Sequence, residues 1–376
     1  MSFSHDVSRY LPSQAKRRKR VISSFETAPA FLFYFPVAVW WGLLSLRYRS
    51  PTLPTLANPA IEAGGLCGES KSDVLGLLGR GGRRIMAKFL VAGLDPWISC
   101  NEESRKLTER MAEAGIDFPV VAKPDIGRNG RGVRKISDID ALSRYLVGFP
   151  RDTRLMLQEF SPFRGEAGIF YVRPPGRKKG KITSITLKFF PSVTGDGYST
   201  LKELILANPR AGKVPQFYLP RLSAQLERIL PEGEVFPLVF TGNHCQGAIF
   251  RDGTQHATAA LTDRIDAIAK EIDGFYFGRF DMRYDTLEAL EKGEGFTIIE
   301  LNGAGSEATH IWDADMTLFG AYRVLFSQVH TAFRIGAKVR KSQGLRPMSP
   351  LRLLQLYFGE LADMRQYPSQ TEGRRN

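Results

Sequence analysis
At 376 residues, 43% of them hydrophobic, the chain is long enough for two or three domains around a sizeable core, and its composition is that of a folded, mostly soluble protein. Its formal charge of +13 sits at the ends: residues 1–50 hold eight Lys and Arg against Asp6 and Glu26, and residues 334–376 hold nine against Glu360, Asp363 and Glu372, leaving +1 for everything between. A near-neutral body argues against a base-reading face, so no nucleic-acid partner is expected, and two basic ends fit contact with an anionic membrane surface. Three scattered cysteines, Cys67, Cys100 and Cys245, include no CxxC pair, which argues against a disulfide framework or zinc site and points to a reducing compartment.

The first element is Ala28–Leu46, 19 uncharged residues, apolar all round and barely long enough to span a bilayer. Lys16–Arg20, KRRKR, precedes it and Arg47 and Arg49 follow; no small-residue cleavage site stands directly after Leu46, which argues against a cleaved signal peptide. Pro36 is expected to break the helix near its middle, giving a monotopic or re-entrant anchor with Trp40, Trp41 and Tyr48 near the interface. The alternative is a buried helix of an ordinary globular domain. Asn58–Leu75 is glycine-rich and then helical, with Ser70 or Ser72 as cap; it reads as a structural turn, or as a substrate loop carrying Glu69 and Lys71.

From Phe118 the pattern becomes regular. Strands are expected at Pro119–Lys123 and Gly132–Ile136 around a glycine tip, then a helix opened by a Ser137 to Asp140 capping pair, then strands at Leu155–Phe160, Gly168–Arg173 and Lys181–Phe190. Gly195-Asp196-Gly197 is a turn, Thr200–Ala207 begins a helix, and Val235–Thr241 with Cys245–Arg251 reads as a hairpin. Thr262–Ile272 is helical, with Ile265, Ile268, Ala269 and Ile272 on its apolar face. Two strands follow, Phe275–Asp285 and Gly295–Gly303, backed by a helix from about Met316 to Arg340 and an amphipathic helix at Leu351–Met364 that is either a second surface contact or packed on its own domain.

Residues two apart on a strand share a face, so Arg279 pairs with Asp281 and Glu300 with Asn302, while Ile299 and Leu301 are expected to face the core. If the two strands are antiparallel neighbours, one surface gathers two carboxylates, an amide oxygen and a guanidinium. Such hard oxygen ligands suit Mg²⁺, and the arginine suits charge on a transferring phosphoryl group. A plain salt bridge between Arg279 and Asp281 or Glu300 is the simpler alternative. Upstream, VVAKPDIGRNGRGV (Val120–Val133) carries Gly127, Gly130 and Gly132 behind Lys123, with no Gly-Lys-Ser/Thr, so it is no P-loop.

Together these stretches resemble the ATP-grasp superfamily over about Ala112–Val339. FPVVAKPDIGRNGRGV is similar to the lysine strand and phosphate-covering loop, LMLQEFSPFRGEAGIF to the hinge, and LKFFPSVTGDGYSTLKELI to the cyanophycin and glutathione-type ligases. GRFDMRYD with IIELNGAGSEATH resembles the metal end of D-alanine–D-alanine ligase. The resemblance implies an α+β fold whose two subdomains clasp ATP, with residues 1–50 as the membrane-associating end, 51–111 as a short pre-grasp region, 112–340 as the grasp and 341–376 as a basic tail. It implies ATP bound by Lys123, Gly127, Gly130, Gly132, Gln158, Glu159, Phe160 and Ser161, with Glu166 at the ribose and Lys188 as the second phosphate lysine. Asp281, Glu300 and Asn302 would hold Mg²⁺ or Mn²⁺, and Arg279 with Lys188 would serve catalysis.

The implied activity is an ADP-forming carboxylate–amine ligase working through an acyl phosphate, with unidentified carboxylate and amine substrates that include an envelope or lipid-linked precursor among the candidates. A kinase-like phosphotransferase and a non-catalytic membrane-tethered nucleotide binder are the alternatives. An ATP-using domain belongs in the cytosol, and simple spanning would then put the basic N-terminus outside, against the positive-inside rule. The expected place is therefore the cytoplasmic side of the membrane, monotopic or peripheral, with single-pass and soluble cytoplasmic placements as alternatives. Two departures stand out. A short glycine-rich region replaces the usual α/β domain ahead of the grasp, and GAGSEATH follows Asn302 in place of a proline-glycine turn, so that Glu307 and His310 are candidates to line an acceptor pocket, His310 being the more readily structural.

Overall fold
The structure is a computed structural model that describes residues 21–239, 241–244 and 247–368. Lys16–Arg20 and Cys245 lie outside the described residues. In chain order the elements are α1 (Ala30–Tyr48), α2 (Lys71–Gly76), α3 (Arg80–Arg83), β1 (Phe89–Gly93), α4 (Cys100–Glu113), β2 (Val120–Pro124), β3 (Arg134–Ile136), α5 (Ile139–Val147), β4 (Arg154–Glu159), β5 (Gly165–Val172), β6 (Lys181–Phe189) and β7 (Ser192–Thr194). They continue with α6 (Leu201–Ala207), β8 (Val235–Pro237), β9 (Ile249–Asp252), α7 (Ala259–Lys270), β10 (Phe277–Tyr284), α8 (Leu287–Glu291), β11 (Phe296–Asn302), α9 (Leu318–Gln343) and α10 (Pro350–Gln366).

Two antiparallel sheets form the frame. The first has the order β1-β4-β2-β3 and the second β11-β10-β5-β6-β9. Helices α4 and α5 cover the first sheet over a core that includes Leu107, Met111, Leu142 and Leu146, and α7 covers the second with Leu261, Ile265, Ile268 and Ala269. Helix starts follow side-chain chemistry: Ser70, Ser99, Asp138, Thr258 and Thr317 each accept a first-turn backbone N–H, and Thr200 forms a full capping box with Glu203. At α5 the cap is thus Asp138 receiving Ala141 N–H, instead of the Ser137 to Asp140 pair.

Two expectations change. The Val235–Thr241 and Cys245–Arg251 hairpin does not form: β8 pairs with β7 in a separate two-stranded sheet, and β9 pairs with β6 at the edge of the second sheet. Pro36 does not break α1, which runs through it for 19 residues. A proline removes one helical hydrogen bond, and here side-chain packing on α9 outweighs that loss. Trp40, Trp41 and Tyr48 are half-buried and pack against α9: Trp40 Nε1 donates to Phe326 O at 3.1 Å, and the rings of Trp41 and Tyr48 lie 5.1 and 5.7 Å from that of Phe333. The opposite face of α1 is open, with Phe31, Phe35 and Leu46 each at least 66% exposed. By length and composition alone α1 could cross a membrane.

The glycine-rich region before the first sheet is fastened into the molecule. Asn58 is fully buried; its Oδ1 accepts from Tyr276 N and Phe277 N, and its Nδ2 donates to Phe277 O and Gly64 O. Gly65, at φ +74°, lies so close to Gly303 that a Cβ would meet Gly303 Cα at 2.6 Å. Asp125, at the end of β2, receives Ser70 Oγ and Ser72 N, both at 2.8 Å. The loop is therefore a structural turn that is also held against the cleft.

Candidate active site
A cleft of about 930 Å³ lies between the two sheets, roomy enough for a nucleotide and a second substrate. Lys123 reaches it from the last turn of β2, and Lys188 from β6 in the facing sheet. Lys123 Nζ donates to Gln158 Oε1 at 2.8 Å and lies 3.4 Å from Ile299 O. Burial, opposed by Glu300 and Asp125, brings the Lys123 pKa down from 10.5 to about 8.

The second sheet carries an ion network. Arg279 stands opposite Asn302 and Asp281 opposite Glu300 on antiparallel β10 and β11, while Glu166 stands opposite Lys188 on β5 and β6. Lys188 Nζ donates to Asp281 Oδ1 at 2.9 Å and Glu166 Oε1 at 3.0 Å; Arg279 Nη2 donates to Asp281 Oδ2 at 2.8 Å, and Asn302 Nδ2 to the same oxygen at 2.9 Å. Burial alone would raise the Asp281 pKa, but Arg279 and Lys188 outweigh it and hold the carboxyl down at about 2. Gly168 leaves the room this needs, since a Cβ there would meet Asp281 Oδ1 at 3.0 Å and Arg279 Cδ at 3.1 Å.

The alternation expected for Ile299 fails. The register shifts at Asp281/Met282, so Ile298 and Leu301 are the buried pair and Ile299 faces the cleft, where its carbonyl also accepts from Gln158 Nε2 at 3.2 Å. A bulge inserts one residue on one strand and turns the local side-chain order. Glu166 also lines the cleft, its oxygens holding Lys188 and, at 3.0 Å, Arg283 Nε.

Gly127 and Gly130 line the cleft, as do Gln158, Glu159, Phe160 and Ser161 from the end of β4. Gly132 does not; at φ +74° it packs behind the loop, where a Cβ would strike Pro124 Cγ at 2.8 Å, and its carbonyl accepts from Tyr145 OH at 2.7 Å. It is a turn glycine, conformationally required, set apart from the cleft lining. The loop is held from outside by α10. Arg128 Nε donates to Glu360 Oε1 at 2.8 Å, Glu360 Oε2 accepts from Gly68 N at 3.1 Å, and Tyr367 OH donates to Ile126 O at 2.8 Å.

Several cleft groups had a weaker signal or none. Lys71 Nζ donates to Gly127 O and lies 3.8 Å from Glu300 Oε1, bringing a third lysine near the glycine loop. Glu69 lines the same region with its pKa raised by burial. Glu307 also lines the cleft: its carboxylate accepts from Tyr34 OH at 2.8 Å and Trp312 Nε1 at 2.7 Å, its carbonyl accepts from Arg279 Nη1 at 2.8 Å, and burial raises its pKa. His310 is buried away from the cleft lining, and burial lowers its pKa. Arg128 lay within the glycine motif and Glu69 and Lys71 within the loop motif; Tyr34 and Glu360 carried no signal, because each is assembled from a distant helix.

Asp281, Glu300 and Asn302 supply two carboxylates and an amide at adjacent register positions, and no group of three or more His, Cys, Asp or Glu gathers among the described residues. Hard oxygen donors of this kind suit a divalent cation that completes its shell with water and phosphate oxygens, and not zinc, while in the structure both Asp281 oxygens accept from Lys188, Arg279 and Asn302.

No known protein family matches the chain, and no curated protein matches it either. Among solved structures it is similar to the bifunctional glutathione synthetase of Pasteurella multocida, at 15% identity and TM-score 0.31, covering 65% of this chain and 34% of that one. It is similar also to the VanG D-Ala:D-Ser ligase of Enterococcus faecalis, at 14% identity and TM-score 0.39, covering 73% and 64%. The D-alanine–D-alanine ligase of Coxiella burnetii gives 10% identity and TM-score 0.40, covering 80% and 64%. The chain thus spans about a third of the first relative and less than two thirds of the other two. All three are ATP-grasp enzymes, the superfamily whose motifs the sequence resembles; at these scores, what the chain does rests on its own cleft.

Proposed function
We propose that the chain is an ATP- and Mg²⁺-dependent carboxylate–amine ligase that makes its amide through an acyl phosphate on an ATP-grasp domain of residues 112–340, to which β1 and most of α4 add from ahead of residue 112. One observation carries the reading: two lysines from facing sheets, Lys123 and Lys188, converge with Arg279, Asp281, Glu300 and Asn302 on a single cleft. Lys123, Lys188 and the N–H groups of the glycine loop bind the phosphates, and the chain around Glu159–Ser161 meets the adenine. Asp281, Glu300 and Asn302 would hold Mg²⁺, which neutralises phosphate charge when bound. Arg279, held by Asp281 and the Glu307 carbonyl, is aimed at the same region and stabilises charge on the transferring group.

In this reading a carboxylate oxygen attacks the γ-phosphorus and ADP leaves. The amine nitrogen then attacks the acyl carbon, phosphate departs with the C–O electron pair, and the amine proton passes to a cleft base or water. The glycine loop, closed by Arg128–Glu360, keeps water off the acyl phosphate. The open face of α1 supports a monotopic or peripheral place on the cytoplasmic side of a membrane.

An ADP-release screen of purified protein against amino acids, sugar acids and amines tests the reaction, with Lys123→Ala as blank. ADP that appears only with an amine supports the ligase. A stable phosphorylated product points instead to a kinase-like enzyme, and equal signal from the blank refutes the site.

A further inference from the structure
The N-terminal helix is part of the cleft wall. Ala30, Phe33 and Tyr34 of α1 line it, and Tyr34, 38% exposed, stands at its rim. From Tyr34 OH the path to the reacting end is short: to the Glu307 carboxylate at 2.8 Å, from the Glu307 carbonyl to Arg279 Nη1 at 2.8 Å, and from Arg279 to Asp281. The Glu307 carboxylate accepts only from neutral donors, Tyr34 and Trp312, and makes no ion pair among the described residues. Burial raises its pKa, and a cationic group brought in by a ligand would stabilise its charged form.

On the helix surface Phe31, three residues before Tyr34, begins a line that continues through Phe35, Val39, Leu43 and Leu46 at spacings of three and four, the periodicity of one helix face. Their exposures run from 48% for Val39 to 77% for Leu46. The line is about 22 Å long at the ordinary helical rise. An apolar strip that starts near the rim of a polar cleft, by a carboxylate with no ion pair among the described residues, has the shape of a site for one molecule with two ends.

Resting on the ligase reading, we propose that the amine substrate is an amphiphile: its amino head enters beside Glu307, and its hydrocarbon chain lies along Phe31, Phe35 and Val39 of α1. The carboxylate selects the amine, and the strip selects the chain. A membrane is the natural reservoir of such a molecule, so the same helix would take substrate from the lipid surface.

The probes are octylamine, decylamine and dodecylamine, titrated calorimetrically below their micelle concentrations with a non-hydrolysable ATP analogue present. Each added methylene should tighten Kd about two- to fourfold, fourfold being the limit of full burial. The Phe31→Ser/Phe35→Ser double variant, changed only at exposed positions, should lose that chain-length dependence. Glu307→Gln should weaken all three amines about tenfold and keep the dependence, and dodecanol should bind about tenfold more weakly than dodecylamine. Binding independent of chain length overturns the proposal. So does a double variant that keeps the dependence while losing adhesion to anionic vesicles, which would make the strip a bilayer contact only. Short amines that support ADP release as well as long ones sink the amphiphile and leave the ligase; long amines that bind by these rules without ADP release from any carboxylate sink the ligase and leave the site.

Discussion

ATP binding at pH 9 should take up close to one proton, and Lys123 should be where it lands. The Lys123 ammonium is buried and rests on neutral acceptors, Gln158 Oε1 and, at 3.4 Å, Ile299 O, with burial bringing its pKa to about 8. A triphosphate at hydrogen-bond distance adds opposite charge and returns the pKa towards its ordinary 10.5. At pH 9 a group of pKa about 8 is roughly 10% protonated and one of pKa about 10.5 roughly 97%, so uptake is about 0.9 proton per site; at pH 7 the difference falls to about 0.1. Calorimetric titration with a non-hydrolysable ATP analogue, in paired buffers of different ionisation enthalpy, reads this number directly. Uptake that is equal at the two pH values, or that survives in Lys123→Met, would refute the reasoning.

The same shift makes stability depend on pH. The folded pKa of Lys123 lies below the unfolded one, so the unfolded chain binds more protons between about pH 8 and 10.5 and stability should rise with pH across that window. Lys123→Met removes the cost of the buried charge, about 3 kcal/mol below pH 8, and leaves Gln158 Oε1 short of a donor at about 1 kcal/mol, so thermal melts at pH 7 should show a net gain of about 2 kcal/mol that fades by pH 10.5. Asp281→Asn deprives buried Lys188 and Arg279 of their shared counter-charge and should cost about 3–5 kcal/mol in urea unfolding, alongside loss of ADP release. Glu360→Gln unhooks Arg128, so backbone amides of residues 126–132 should exchange with deuterium faster while the exchange of β4 stays unchanged.

Much of the second sheet could be read from the chain alone because its information is local. Alternation put Arg279 with Asp281 and Glu300 with Asn302, and the antiparallel register then set the two pairs face to face. Local sequence pattern likewise gave the starts of α6 and α7 to within a few residues. Ile299 was misplaced because a bulge depends on the partner strand, and the Val235 hairpin because β9 found a better-buried neighbour in β6. Gly132 has the same sequence signature as Gly127, and only the position of Pro124 and Tyr145 separates a packing glycine from a cleft glycine.

The sequence by itself determined which residues carry charge, which faces of the unbulged elements are apolar, and where helices begin to within a few residues, since these follow from neighbours one to four residues away. The tertiary structure alone decided that α1 is a wall of the cleft and α10 a clasp on its loop. Tyr34 meets Glu307 across 273 residues of chain and Arg128 meets Glu360 across 232. Contacts of that range are chosen by how the sheets and helices pack together, so they leave no periodic trace in the sequence around either partner.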